Sequence, residues 1–283
     1  MMTSEMTPFA LSVSFHTLDR EQHVETIGLL AGSRVKAVEL WEPTFGRDKE
    51  KIQSARRAFE AVGVQPRTVH AGFGGAMDIS SLDSAIRSAG MQAVGAALDL
   101  AEQMGARIVV VHPSSEPIDE ATRAERMQQA RRSIATIADM ARQVGCQIAL
   151  ELLPRTCLGN SAEELLDLLK DEDANTVGVC LDTNHLMERF ASLPDVVRML
   201  GSRLLALHCS DYDGVDEKHW PPLRGVIDWA AFLSALRAIG FSYPLHYEAN
   251  LDGETPAERL RFLEANYLRL MSIAGPIGDT KDP

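Results

Sequence analysis

Short apolar runs recur along the chain, each ending in a polar or ionisable residue and then giving way to a stretch with helical spacing. They fall at residues 11–15, 35–40, 64–69, 108–111, 148–150, 177–181, 204–207 and 243–247. Their length and their Val, Ile and Leu content predict strands buried on both faces. Between them, residues 21–31, 49–62, 81–104, 119–144 and 229–239 place apolar side chains three and four apart, as an amphipathic helix does. In the fourth of these, Met127, Ile134, Ile137 and Ala141 form the inward face, and Arg123, Arg131 and Arg142 are expected in solvent. Gly63, Gly105 and Gly240 read as helix stops and Asp228 as a cap. Ser161-x-x-Glu164 and Thr255-Pro256-Ala257-Glu258 are capping-box signatures. Gly72-Phe73-Gly74-Gly75 reads as a βα turn, residues 209–225 as an extended polar loop, and 275–283 as a frayed tail.

Strand followed by helix thus occurs eight times, with strand ends near residues 16, 41, 70, 112, 151, 182, 208 and 248. This regularity predicts an α/β fold of the (β/α)8 TIM barrel type, formed as a single domain by residues 1–283. A doubly wound open sheet is the competing fold. It would gather a ligand at one switch point instead of drawing on nearly every strand.

Composition narrows the partners. A hydrophobic fraction of 45% suffices for one sizeable core, and a net charge of -12 disfavours a surface built to neutralise nucleic-acid phosphates. The four cysteines (Cys146, Cys157, Cys180, Cys209) form no CxxC pair, and Cys180 and Cys209, beside Asp182 and His208, are expected as buried, inert thiols. No apolar run nears the roughly 20 residues needed to span a bilayer. The first residues have neither the basic start nor the apolar core of a leader, so a soluble, cytoplasmic protein is expected.

The chemistry lies at the strand ends. Glu151, Asp182, His208 and Glu248 would converge from four consecutive strands on one side of the barrel mouth. Three carboxylates so close repel one another unless a cation joins them. With one imidazole they make a hard, oxygen-rich set suited to one divalent metal, Mn2+ or Mg2+, with Co2+ or Zn2+ tolerated. Each could instead pair with an arginine or cap a helix. His16 and Trp41 would line the mouth. His246 is expected deeper in the barrel as a satisfied core histidine, and His23 in solvent on a helix.

A strand-end Glu, then Asp182-x-x-His185, then His208 followed by an Asp-rich loop, then Glu248 on the last strand resembles the pattern of the xylose isomerase-like TIM barrels. That superfamily includes tagatose/psicose 3-epimerases, hydroxypyruvate isomerases, inosose dehydratases and endonuclease IV-type nucleases. The resemblance implies that Glu151, Asp182, His208 and Glu248 are metal ligands, that Glu151 and Glu248 are also the catalytic acid/base pair, and that His185 contacts substrate. It implies an isomerase or epimerase acting on a small sugar, phosphorylated or free, through an enediolate, often as a homodimer or homotetramer. A keto-polyol dehydratase and a noncatalytic sugar-binding barrel would share these residues. His70, His112, Glu217 and His219 fall where the apurinic-site nucleases carry further zinc ligands, which keeps a three-zinc enzyme acting on abasic DNA as the rival. In the sugar-active branches such histidines are substrate contacts. Leu223-Arg224-Gly225 departs from the family's frequent Gly-Glu-Gly, and Arg224 there could recognise a sugar hydroxyl, carboxylate or phosphate.

Overall fold

The computed structural model describes residues 9–273; the expected tail at 275–283 lies outside them. Eight parallel strands form the barrel: β1 (Leu11–Ser14), β2 (Val35–Trp41), β3 (Gln65–His70), β4 (Ile108–Val111), β5 (Gln147–Glu151), β6 (Val177–Asp182), β7 (Leu204–His208) and β10 (Leu245–Tyr247). Every one ends within two residues of the position expected from sequence. β10 pairs with β1, and the ring closes against β7 through one bridge. There the Cys209 N–H donates to the His246 carbonyl at 2.7 Å and the Glu248 N–H to the Cys209 carbonyl at 3.3 Å.

Alternation along the strands divides the core in two. Outward-facing residues such as Val109, Leu150, Val179 and Leu207 pack with the helices in one large cluster. A smaller one, including Ile108, Val110, Ala149, Cys180 and Ala206, forms an apolar plug. The next inward positions up the same strands, His112, Glu151, Asp182 and His208, are the ionisable ones, so the plug is their floor. Gly178 in β6 is fixed by packing: a Cβ there would strike the Arg203 carbonyl and the Leu205 side chain.

The long outer helices are Lys49–Val62, Ser84–Met104, Glu120–Val144, Trp229–Ala238 and Pro256–Ile273. Asp48, Asp83, Asp119 and Asp228 cap the first four through their side chains, and the helices at 49, 84 and 120 end at Gly63, Gly105 and Gly145. The Thr255 capping box is reciprocal: Thr255 Oγ1 accepts from the Glu258 N–H at 3.3 Å, and Glu258 Oε2 accepts from the Thr255 N–H at 3.0 Å. At Ser161 only half forms. The hydroxyl accepts from the Glu164 N–H, while the Glu164 carboxylate turns to the Gly159 N–H and to Arg123.

Three expectations need correction. The helix expected over 21–31 is one turn, α2 (Val24–Ile27), followed by a 3-10 turn, and a further turn, α1 (Phe15–Leu18), precedes it. Asp19 organises this corner by accepting from the N–H groups of Glu21 and His23 and from the Thr26 hydroxyl. Arg123 is not a solvated cation; it is tied to Glu164 and to the carbonyls of Thr156 and Cys157. The polar segment after β7 is not an extended loop but an antiparallel hairpin, β8 (Asp211–Tyr212) with β9 (Glu217–Trp220). The buried Asp211 carboxylate holds it, accepting from the N–H groups of Tyr212 and Ile227 and from Trp229 Nε1 at 2.8 Å. Among the described residues no helix is long and apolar enough to cross a membrane.

Candidate metal centre and active site

Glu151, Asp182, His208 and Glu248 stand at the ends of β5, β6, β7 and just past β10, and one ligand atom from each lies within 4.8 Å of all the others. His208 Nδ1 is 3.2 Å from Glu151 Oε1 and 2.7 Å from Glu248 Oε2. Glu151 is the hub: its Oε2 is 3.1 Å from His70 Nε2 and 3.0 Å from His112 Nε2. His185 Nδ1 bonds the Leu152 carbonyl at 2.9 Å, and its Nε2 is 3.7 Å from Asp182 Oδ2 and 3.4 Å from Glu217 Oε2. His219 comes in on β9 and meets His185 edge-on.

Burial opposes charge on Glu151, Asp182, His208, Glu248, His70, His112 and His185 and is the largest single influence on each; the neighbours overturn it at some of them and not at others. Around His208 the Cys180 thiol is itself pushed up and stays neutral, so Glu248, Glu39 and Glu151 hold the imidazole well above its ordinary value. Glu151, facing His208 and His112, is held well below the usual carboxylate range, and Glu248, facing His208, is held at about 2. Asp182 goes the other way. Burial and the charges of Glu151 and Glu248 outweigh His185 and His219, raising it. His70 and His185 are raised against burial by Glu151 and by Asp182 respectively, whereas for His112 burial prevails and the value falls.

The donor set fits a divalent cation. Asp182 Oδ1 accepts from the Asn184 N–H, but its buried Oδ2 has no hydrogen-bond partner and sits among carboxylates that repel it. A bound cation would satisfy that oxygen and relieve the repulsion. On the cavity side two further clusters adjoin the first, His70 with His112 and Glu151, and Asp182 with His185 and His219; a third, Glu39 with His208 and His246, lies beneath it.

Above these residues opens a cavity of about 370 Å³, lined by His70, His112, Glu151, His185, Glu217, His219 and Glu248 together with Phe73, Ser114 and Glu116. Phe73 stacks flat on His112 with ring centroids 3.8 Å apart. Arg155 ties the rim together, reaching Glu116, Asp216 and Glu217 from a backbone with φ of 50°.

Not every candidate reaches this cavity. Trp41 lies behind its wall, packed on His70 and Phe73, and His16 bonds the Arg20 carbonyl beside a different groove. Arg224 is paired with Asp252 and spread over Phe262, so its charge is directed away from the lining. His246 is buried as expected, with Ser12 Oγ at 2.8 Å from its Nδ1, but it is only half satisfied, because its Nε2 has no hydrogen-bond partner. The four cysteines are buried and free. Phe73 and Arg155 were not singled out from the sequence. An aromatic within a glycine-rich βα turn was the available signal for Phe73; Arg155 has none, because its partners lie 39 to 62 residues away.

A family model described as xylose isomerase-like TIM barrel matches residues 30–266. An uncharacterised protein of Methanocaldococcus jannaschii is 26% identical over 178 residues, covering 61% of this chain and 60% of that protein. The ketose 3-epimerase of Arthrobacter globiformis is 25% identical over 207 residues, 70% of this chain and 68% of the enzyme. Among solved structures, a D-tagatose 3-epimerase-like protein superposes with a TM-score of 0.76 at 22% identity, covering 93% of this chain and 98% of the other.

Proposed function

Because the chain belongs to the xylose isomerase-like TIM barrel family, we propose that it is a divalent-metal-dependent sugar isomerase or epimerase that abstracts an α-proton and works through an enediolate. The observation that carries this is the convergence of Glu151, Asp182, His208 and Glu248 at one end of the barrel, with a buried Asp182 oxygen left without a donor. One divalent ion held by these four, Mn2+ or Mg2+ before Co2+ or Zn2+, would supply charge stabilisation to the substrate oxygens.

The chain's own residues supply the rest. Glu151 and Glu248 come from strands separated by β6 and β7 and both border the cavity, so one, as the carboxylate, takes the α-proton while the other, after drawing a proton from solvent, delivers that proton to the enediolate carbon. Protons leaving one face and returning on the other give epimerisation; return at the neighbouring carbon gives isomerisation. The same abstraction would begin a dehydration of a keto-polyol. His185, fixed by the Leu152 carbonyl, presents Nε2 to the cavity for a substrate hydroxyl, with His70, His112 and His219 as further contacts. Phe73 gives an apolar wall, and among the described residues the lining includes no lysine or arginine. The ketose 3-epimerase among the relatives supports this chemistry.

Metal content of protein purified without added metal or chelator, followed by a ketose screen in deuterated water, tests it. About one divalent ion per chain and solvent deuterium at the substrate α-carbon are expected. A second reading is favoured by the two adjoining clusters: three zinc ions and cleavage of abasic duplex. Against it stand the net charge of -12 and an Arg155 already engaged by three carboxylates. Nearly three zinc ions per chain with nicking of abasic DNA would replace the first reading.

A further inference from the structure

Under the mouth lies a second layer of buried polar side chains that the proposed chemistry does not use. Glu39 from β2 and His246 from β10 are 2% and 6% exposed, and both border the fully buried His208. The two nitrogens of His208 face different partners. Nδ1 faces Glu151 and Glu248, while Nε2 lies 3.2 Å from one Glu39 oxygen and 3.4 Å from the other. Glu39 is itself flanked by His246, whose Nε2 is 3.6 Å away and whose Nδ1 meets Ser12 Oγ.

A neutral imidazole carries one proton, and giving a lone pair to a cation from one nitrogen requires that proton on the other. Among the described residues, Glu39 is the carboxylate within reach of Nε2. We propose that Glu39 is the positioning residue of His208: it accepts the Nε2–H, fixes the tautomer, and leaves Nδ1 free to ligate a cation beside Glu151, Asp182 and Glu248. This rests on the metal-dependent reading above. Glu39, His208 and His246 are also close enough to hold an ion of their own. Both sites could fill together only if His208 gave up both ring protons, which makes the hydrogen-bonding role the simpler one.

The test compares wild type, Glu39→Ala and Glu39→Gln, each stripped by chelator and titrated with Zn2+ against a competing indicator, with thermal unfolding of the metal-free proteins in parallel. Long-range 1H–15N spectra of the zinc-loaded, 15N-labelled wild type assign the ligating nitrogen of His208. Glu39→Ala should bind about 10–100-fold more weakly. Glu39→Gln, whose amide oxygen still accepts the Nε2–H, should recover most of that affinity, and His208 should ligate through Nδ1. Wild-type affinity in a folded Glu39→Ala, or ligation through Nε2, overturns the proposal while leaving the metal site standing. Wild type that takes up no ion overturns both. A second ion per chain, lost in Glu39→Ala, would make Glu39 a ligand and overturn the positioning role. Should Glu39→Ala fail to fold, the Gln variant and the nitrogen assignment decide.

Discussion

Glu248 shows how a single residue can be legible in its type and hidden in its state. A carboxylate at the end of the last strand is visible in the sequence; that it is held at about 2, opposite a buried imidazole, depends on His208 forty residues away. Its proposed role as an acid/base group gives a direct expectation. Glu248→Gln keeps the shape and loses the base, so substrate α-proton exchange in deuterated water should fall by about 10²–10⁴-fold while the circular dichroism spectrum is retained. Exchange at the wild-type rate would remove Glu248 from the chemistry. Asp19 is the opposite case, an unremarkable residue in the sequence that organises a corner. Burial raises its pKa, but the Thr26 hydroxyl and the His23 groups outweigh burial and leave it lowered. A lowered folded value means a contribution that is fully present above the ordinary carboxylate range and lost as pH falls through the lowered value. Asp19→Ala should therefore cost about 2 kcal/mol near neutrality. The gap to wild type in urea unfolding should close on acidification below the ordinary Asp range; a gap independent of pH would refute the assignment.

At the scale of elements, strands and long helices were the readable part because their signals are local: apolar runs, capping aspartates and stopping glycines lie within the element they define. The β8–β9 hairpin was not, because nothing within 209–225 alternates strongly. It is held by Asp211 reaching forward to Ile227 and Trp229, and by Arg155 across the cavity rim. For the same reason Arg224, polar and well placed in sequence, meets Asp252 instead of the cavity. If Arg155 is what secures the hairpin, Arg155→Ala should speed amide hydrogen exchange across residues 211–220 by an order of magnitude or more with little change in the barrel strands. Equal exchange in the two proteins would show that Asp211 suffices. Gly225→Ala should be costlier, because its Cβ would strike the Tyr212 carbonyl and the Asp211 carboxylate; about 1–3 kcal/mol of overpacking is expected in thermal unfolding.

For the whole molecule, eight strand-then-helix units made the barrel legible and the ionisable residues at the ends of six strands, β3 to β7 and β10, its working end, since closing a parallel sheet brings those ends to one rim. What sequence leaves out is depth: Glu39 and Glu151 look alike in the chain, yet one sits beneath His208 and the other joins four imidazoles at the mouth. If the proposed cation binds there, and to folded protein alone, then at a hundred times its dissociation constant it should add about 2.7 kcal/mol of stability. Chelator should then lower the melting temperature by about 4–6 °C, reversed by Mn2+; unchanged melting would count against a bound ion.

The seam between β7 and β10 also sets an order of events during synthesis. A growing chain that has emerged through His208 holds Glu151, Asp182 and His208 but neither the strand that closes the ring nor Glu248 beside it. Under the proposed metal-dependent reading, three ligands on an open sheet would make a weak trap, and the fourth would arrive with closure itself. Cation uptake would then be deferred until the ring is complete, and a tightly held ion would report that the last strand has docked.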